Sequence, residues 1–194
     1  MSNATKILVP LLEGFEEIEA ITIIDVLRRA ELPVVVAGDR AGPVRGAHGV
    51  DVTAEVALAD VRAAELRAIV LPGGMPGAQN LAENPRVQGL IKEVAGAGGT
   101  TAAICAAPWA LAAAGVHAGR TVTCYPGFQD KLKGGTFVED RVVIDGPVIT
   151  SRGPGTALEF ALTLVGRFAG RDRERELVDG MLVARPAAAR DVAR

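Results

Sequence analysis

The chain has 194 residues, a formal net charge of −2, and 49% apolar but only 4% aromatic residues. That length suits one α/β domain with a core of Ala, Val, Leu and Ile. The near-neutral charge, with no basic stripe or tail, argues against nucleic-acid binding, and apolar runs far short of ~18 residues argue against a membrane span.

Lys6–Leu12, KILVPLL, is a continuous apolar run, the pattern of a strand covered on both faces. Glu13-Gly14 ends it. Glu16–Ala30 reads as a helix, with Glu16 and Glu17 in a first turn that suits acids. Ile18, Ala20, Ile21, Ile23 and Ile24 surround Glu19, so the helix is apolar on nearly every side. Glu19 is therefore either a partly buried carboxylate or an ordinary solvated first-turn acid. Leu32–Gly38 is a second buried strand. Pro43–Val56, with turn glycines and the alternating run VDVTAEV, predicts a small antiparallel excursion at a sheet edge. His48 lies in its turn, where a lone histidine is usually just solvated. Asp60–Leu66 reads as one or two helical turns.

Arg67–Leu71 is another parallel strand, running into Pro72-Gly73-Gly74-Met75-Pro76-Gly77. Such a turn leaves backbone N–H groups free to face an anion or oxyanion. It fits neither the dinucleotide fingerprint nor a P-loop, and an ordinary tight turn uses the same residues. Gln79–Asn84 is a short helix, and Pro85 opens a second over Arg86–Gly96. Thr100–Gly115, TTAAICAAPWALAAAG, passes from a small apolar strand into an alanine-rich helix, with Cys105 at the joint. Downstream, Arg120–Thr123 is a short strand, and Arg141–Ile144 and Val148–Thr150 flank an Asp145-Gly146 hairpin. Thr156 and Glu159 have capping-box spacing for a helix over Ala157–Phe168. Arg171–Arg185 is a last helix with Leu177, Met181 and Leu182 as its apolar stripe. Residues 1–5 and 186–194 are expected to be loose tails on one domain spanning 1–194. The alternation predicts an α/β three-layer sandwich: a mostly parallel sheet between helices, with a small antiparallel annex.

The chemistry centres on Cys105. A strand–helix joint in a parallel sheet lies at the carboxyl edge, where ligands bind. The small neighbours Ala103, Ala106 and Ala107 suit a sharp, strained turn that holds up a nucleophile. The helix N-terminus is expected to lower the thiol pKa from ~8.5. A proton partner is harder to find. His117 lies beyond the helix, roughly 15 Å away at ~1.5 Å per residue. Nothing local aims His48 at Cys105, and Ala106 rules out an adjacent Cys-His dyad. Glu19 is the better candidate: a buried carboxyl has a raised pKa and can donate a hydrogen bond to a thiolate. Cys124 reads as a buried structural thiol, with a resolving thiol as the other option. No CxxC or Cys/His cluster is present, so no zinc site is expected. Two cysteines without an export signal fit a reducing cytoplasm.

Four segments, EGFEEIEAITIIDVLRRA, LPGGMPGAQNL, AAICAAP and TSRGPGTALEFAL, resemble the ThiJ/PfpI superfamily, in its DJ-one subgroup of bacterial type. The resemblance covers nearly the whole chain. It implies a flavodoxin-like fold and a homodimer. It also implies that Cys105 is the reactive cysteine, Glu19 the protonated acid, and the Gly74 and Ala106 amides, with Gly73 beside them, the oxyanion and substrate site. Pro154 would approach from the partner subunit, and Tyr125, His48 and Arg29 would line the pocket or reach it across the dimer. Tyr125 stands where many relatives carry histidine, and His48 where some carry arginine near the dimer interface. The implied activity is a cofactor-independent, glutathione-independent conversion of methylglyoxal or glyoxal to hydroxy acids, or the repair of early glycation adducts on proteins. The alternative is a cysteine-based oxidative-stress sensor or chaperone with little catalysis. The protease branch has histidine directly after the cysteine; Ala106 breaks that pattern, so peptidase activity is not expected.

Overall fold

The computed structural model describes residues 5–183 and 190–191. The strands are β1 (Lys6–Pro10), β2 (Val34–Gly38), β3 (Gly42–Arg45), β4 (Asp51–Ala54), β5 (Val56–Ala57), β6 (Leu66–Leu71), β7 (Thr100–Ile104), β8 (Thr121–Val122), β9 (Thr136–Phe137), β10 (Val142–Asp145), β11 (Val148–Ser151) and β12 (Arg190–Asp191). The helices are α1 (Glu17–Arg29), α2 (Gly77–Glu83), α3 (Pro85–Gly96), α4 (Pro108–Ala113), α5 (Ala157–Ala169) and α6 (Arg171–Gly180).

The main sheet runs β12-β10-β11-β7-β6-β1-β2-β5. All its pairings are parallel except β10 with β11. Helices α1, α5 and α6 pack together on one face, and α2, α3 and α4 on the other. Two-sided cover explains the sequence: β1 buries Ile7, Leu8 and Val9 completely, and β6 does the same with Ala68 to Leu71. Strands β3 and β4 form the expected antiparallel annex. A second annex, β8 beside β9, is parallel and only two residues long on each side, too short for a periodic signal.

Local chemistry sets the helix ends. Asn84 caps α3 by accepting from the N–H groups of Arg86 (2.9 Å) and Val87 (3.2 Å), with Pro85 at the first helical position. The cap of α5 differs from the expected capping box. Thr156 Oγ1 donates to Gly153 O at 2.9 Å and pairs with Ser151 Oγ at 2.6 Å, while Glu159 forms a 2.7 Å ion pair with Arg141. Thr156 turns back to Gly153 and Ser151, and Glu159 reaches across to Arg141, so the capping spacing is present without the capping bonds. The stripe on α6 also shifts. The helix stops at Gly180, Leu177 and Val178 are the buried pair, and Leu182 is 91% exposed at a positive φ of 56°. Of the tails, 1–4 lie outside the described residues; within 186–194, Arg190–Asp191 pair with Val143 and Ile144. Among the described residues no helix is long and apolar enough to cross a membrane.

Candidate active site

Strands β1, β6 and β7 are neighbours, so the turns at their carboxyl ends share one edge of the sheet. β7 ends at Ile104 and α4 starts at Pro108. Cys105 fills the joint with φ 65°, a left-handed conformation that costs a non-glycine residue roughly 1–2 kcal/mol. Two backbone bonds hold it there: Cys105 N donates to Ser151 O at 3.0 Å, and Tyr125 N donates to Cys105 O at 2.8 Å. Buried Ala106 and Ala107 leave room for this turn.

Glu19 comes from the first turn of α1 and is fully buried. Glu16, the N-cap of that helix, accepts from Glu19 N at 2.7 Å through Oε2. Glu19 Oε2 accepts from Gly73 N at 2.7 Å, and the carboxyl is hydrogen-bonded to the Cys105 thiol. Gly73 separates the two groups by very little. A Cβ there would lie 2.7 Å from Cys105 Cβ and 2.9 Å from Glu19 Oε2. Gly74 has φ 89°, and a Cβ on it would run into the backbone of residues 14–16. The N–H groups of Gly74 and Ala106 both donate toward the Cys105 sulfur. Gly73, grouped with them from sequence, spends its own N–H on Glu19 instead.

Burial dominates the electrostatics. It pushes Glu19 up to about 7, with Glu16 adding to the rise, against the opposing pull of the Gly73 amide and the Cys105 hydrogen bond. Burial also pushes Cys105 well above the ordinary thiol range, and the Glu19 charge adds to that. The Gly74 and Ala106 amides pull it back only in part. This corrects the expectation that the helix N-terminus alone produces a low thiol pKa. α4 is six residues long and begins three residues after Cys105, so its dipole loses to desolvation. The two groups titrate as a pair: the first proton leaves near 7, the second only at high pH, and between them one proton is shared.

The other residues singled out from sequence lie around this centre or away from it. Tyr125 is half exposed, and a Cβ on Gly153 would sit 3.1 Å from its ring. Pro154 opens the single helical turn that follows Gly153. Arg29 ends α1, ten residues beyond Glu19 or ~15 Å along the axis, and pairs with Asp25 at 2.7 Å; within this chain it is not part of the pocket. His117 is buried, with Nε2 3.1 Å from Lys133 O, in a structural role. Cys124 is fully buried and raised to about 11 by that burial.

His48 has a partner that sequence reasoning missed. Its Nδ1 lies 2.9 Å from Glu17 Oε2, and Glu17 Oε1 accepts from His48 N (2.6 Å) and Val50 N (3.2 Å). Glu17 thereby ties the β3–β4 turn to the start of α1. Burial raises its pKa, but the His48 side chain and three backbone N–H bonds outweigh that and lower it overall. Gly46 packs on the Glu17 carboxylate, so the turn glycines were the one local signal. Glu16, Glu17 and His48 have donor atoms within 4.8 Å of one another, the spacing of a metal site. Glu17 is already committed to three donors and Glu16 to its cap, at the positive end of a helix, so the group carries no metal assignment.

Known proteins resemble this chain in sequence and fold. The DJ-1/PfpI family matches residues 5–167. The chain is 42% identical to "Protein DJ-1 homolog B" of Arabidopsis thaliana over 96% of its own length, spanning 43% of that longer protein. It is 42% identical to "Glutathione-independent glyoxalase DJR-1.2" of Caenorhabditis elegans, covering 89% of this chain and 93% of that one. The crystal structure of Drosophila melanogaster DJ-1beta superposes with a TM-score of 0.90 at 41% identity, over 94% of this chain and all of that one. With its fold, its matched residues and its relatives in agreement, the chain belongs to the DJ-1/PfpI family.

Proposed function

We propose that the protein is a cofactor-independent, glutathione-independent glyoxalase acting on methylglyoxal or glyoxal. The observation that carries this reading is the hydrogen-bonded Cys105–Glu19 pair beneath the Gly74 and Ala106 amides. The nematode relative, named a glutathione-independent glyoxalase, supports it. The Cys105 sulfur adds to the aldehyde carbon of methylglyoxal, and the aldehyde oxygen, held by the two amides, takes up a proton to give a hemithioacetal. Glu19 removes the C–H proton from that carbon and returns it to the neighbouring ketone carbon, while the hemithioacetal hydroxyl gives up its proton and the ketone oxygen takes one up, leaving a thioester of lactate. Water hydrolyses the thioester and frees the thiol. The aldehyde carbon is oxidised and the ketone carbon reduced, so no external oxidant or reductant is needed. A carboxyl titrating near 7 suits both halves of the proton transfer.

Cys105 is only 8% exposed, which favours a small dicarbonyl over an adduct on a protein side chain. Deglycation is therefore the secondary activity in this reading. Ile18 and Ile21, one turn apart on α1, and Val50, whose N–H reaches Glu17 at the start of that helix, are 58%, 45% and 50% exposed, apolar surface suited to a homodimer. Two free cysteines and a net charge of −2 fit a cytoplasmic protein with a small-molecule substrate. The test is lactate formation from methylglyoxal by pure protein without glutathione. Wild type turns over; Cys105→Ala and Glu19→Ala do not. Equal rates in wild type and Cys105→Ala would discard the mechanism.

A second reading has its own observation. Glu19 Oε1 is buried and accepts no hydrogen bond from a fixed donor among the described residues. A protonated Glu19 can donate from it to an oxygen placed on the sulfur, which suits a sensor whose Cys105 is oxidised by peroxide to the sulfinic acid. Intact mass after mild peroxide separates the readings: two added oxygens on Cys105 with negligible dicarbonyl turnover favours the sensor.

A further inference from the structure

A second polar site lies at the opposite edge of the sheet. The start of β6, the Ala97–Thr100 turn after α3 and the end of α5 line an open cavity of about 550 Å³. That falls within the range of small-molecule pockets, about 300–1,000 Å³. Arg67 and Arg167 both line it, and among the described residues no acidic residue does. Neither guanidinium has a hydrogen-bond acceptor or an ion-pair partner among the described residues. Arg67 is half-buried and held by the Phe168 ring, its guanidinium carbon 4.7 Å from the ring centroid. Burial lowers the Arg67 pKa, and the Arg167 charge lowers it further, so the two cations feel each other.

Two like charges beside one cavity need a counter-charge. Helices α3 and α5 both end here, and each C-terminus supplies roughly half a negative charge. That offsets about one of the two guanidinium charges and leaves the other. The carbonyl ends also make no hydrogen bond to either arginine, so the rigid donor forks stay open. A Cβ on Gly98 would meet nothing within 4 Å, so the turn leaves the mouth of the cavity clear.

We propose that this cavity binds a phosphate group, clamped between Arg67 and Arg167 by charge-assisted hydrogen bonds. The group arrives as inorganic phosphate or as the head of a small phosphomonoester. The site is distinct from the Cys105 centre. β6 separates them, and its six residues span ~20 Å at ~3.3 Å per residue.

Calorimetric titration of the full chain, at matched ionic strength with chloride as reference, tests this. The probes are inorganic phosphate and glycerol phosphate. Saturable one-to-one binding is expected, with a dissociation constant on the order of 1 mM. Tighter binding of the ester would assign the rest of the cavity to the organic part; equal binding would assign the site to the bare anion. Arg167→Gln and Arg67→Gln should each weaken binding ~10-fold or more. Arg167 is exposed, so its variant keeps the test valid should Arg67→Gln fold poorly. The Cys105 alkylation rate should not change in Arg167→Gln. No saturable heat with either probe, or binding that persists unchanged in Arg167→Gln, would overturn the proposal.

Discussion

Glu19 and Cys105 are hydrogen-bonded to each other while both lie almost wholly out of water, at 0% and 8% exposure. Their elements are far apart in sequence, on α1 and at the end of β7, and Gly73 at the end of β6 brings them together. An acid and a thiol in one dry pocket cannot both carry charge, and this constraint gives the site its chemistry.

Gly73 sets the spacing. Gly73→Ala would place a methyl 2.7 Å from Cys105 Cβ and 2.9 Å from Glu19 Oε2. Its amide can still form, so the expected effect is a displaced pair rather than a lost fold. Dicarbonyl turnover should fall ~100-fold or more, as expected of a misplacement near 1 Å. Near-native circular dichroism alongside steady-state rates would check it.

Glu19 also makes stability depend on pH. Its folded pKa, about 7, lies above the ordinary 4.5. Between those values the folded protein binds more protons than the unfolded one, so stability falls as pH rises from ~4.5 to ~7 and then levels off. The drop should be about 3 kcal/mol at ~1.36 kcal/mol per unit. Urea unfolding of wild type and Glu19→Gln at pH 5 and pH 8 reads it directly. The variant should lack most of the drop and be the more stable protein at pH 8.

The order and type of most elements were legible because they follow from local pattern: two-sided burial of β1 and β6, Pro85 after Asn84, Asp145-Gly146 in the β10–β11 hairpin. Glu19 stood out as an acid in an apolar run, and Cys105 as a cysteine at a strand end. Long-range partners left no local trace. Glu17 looked like a helix-dipole acid, yet it anchors a turn 31 residues away. Glu159 had the spacing of a cap with Thr156, but it pairs with Arg141, 18 residues away, while Thr156 bonds back to Ser151 and Gly153. The thiol pKa escapes local pattern in the same way: burial, which sets it, depends on the whole fold, whereas a helix start depends on a few residues.

The Glu17 anchor has two readouts. Glu17→Gln replaces one of its oxygens with a donor beside His48 and Val50, and should cost about 2 kcal/mol, the scale of a hydrogen bond to a charged group. The Glu17 hydrogen bond, with the Glu17 charge behind it, raises the His48 pKa above 6.5. Histidine NMR titration should show that elevation in wild type and its loss in Glu17→Gln. The signs define a window. Stabilisation from Glu17 is lost as pH falls below ~4.5, and stabilisation from His48 is lost as pH rises through its elevated pKa.

The apolar face of α1 makes the oligomeric state testable. Ile18→Glu with Ile21→Glu places two charges on it without touching the buried core. Light scattering after gel filtration should give a dimer for wild type and a monomer for the double variant, with unchanged secondary structure.

The central claim is that Cys105 and Glu19 share one proton. The pH dependence of Cys105 alkylation by iodoacetamide, in wild type and Glu19→Gln, tests it most directly. The account predicts that reactivity in wild type rises with a midpoint near 7, where the pair loses its first proton, and that in Glu19→Gln the midpoint moves above the ordinary thiol value of ~8.5. The same midpoint in both proteins would contradict it.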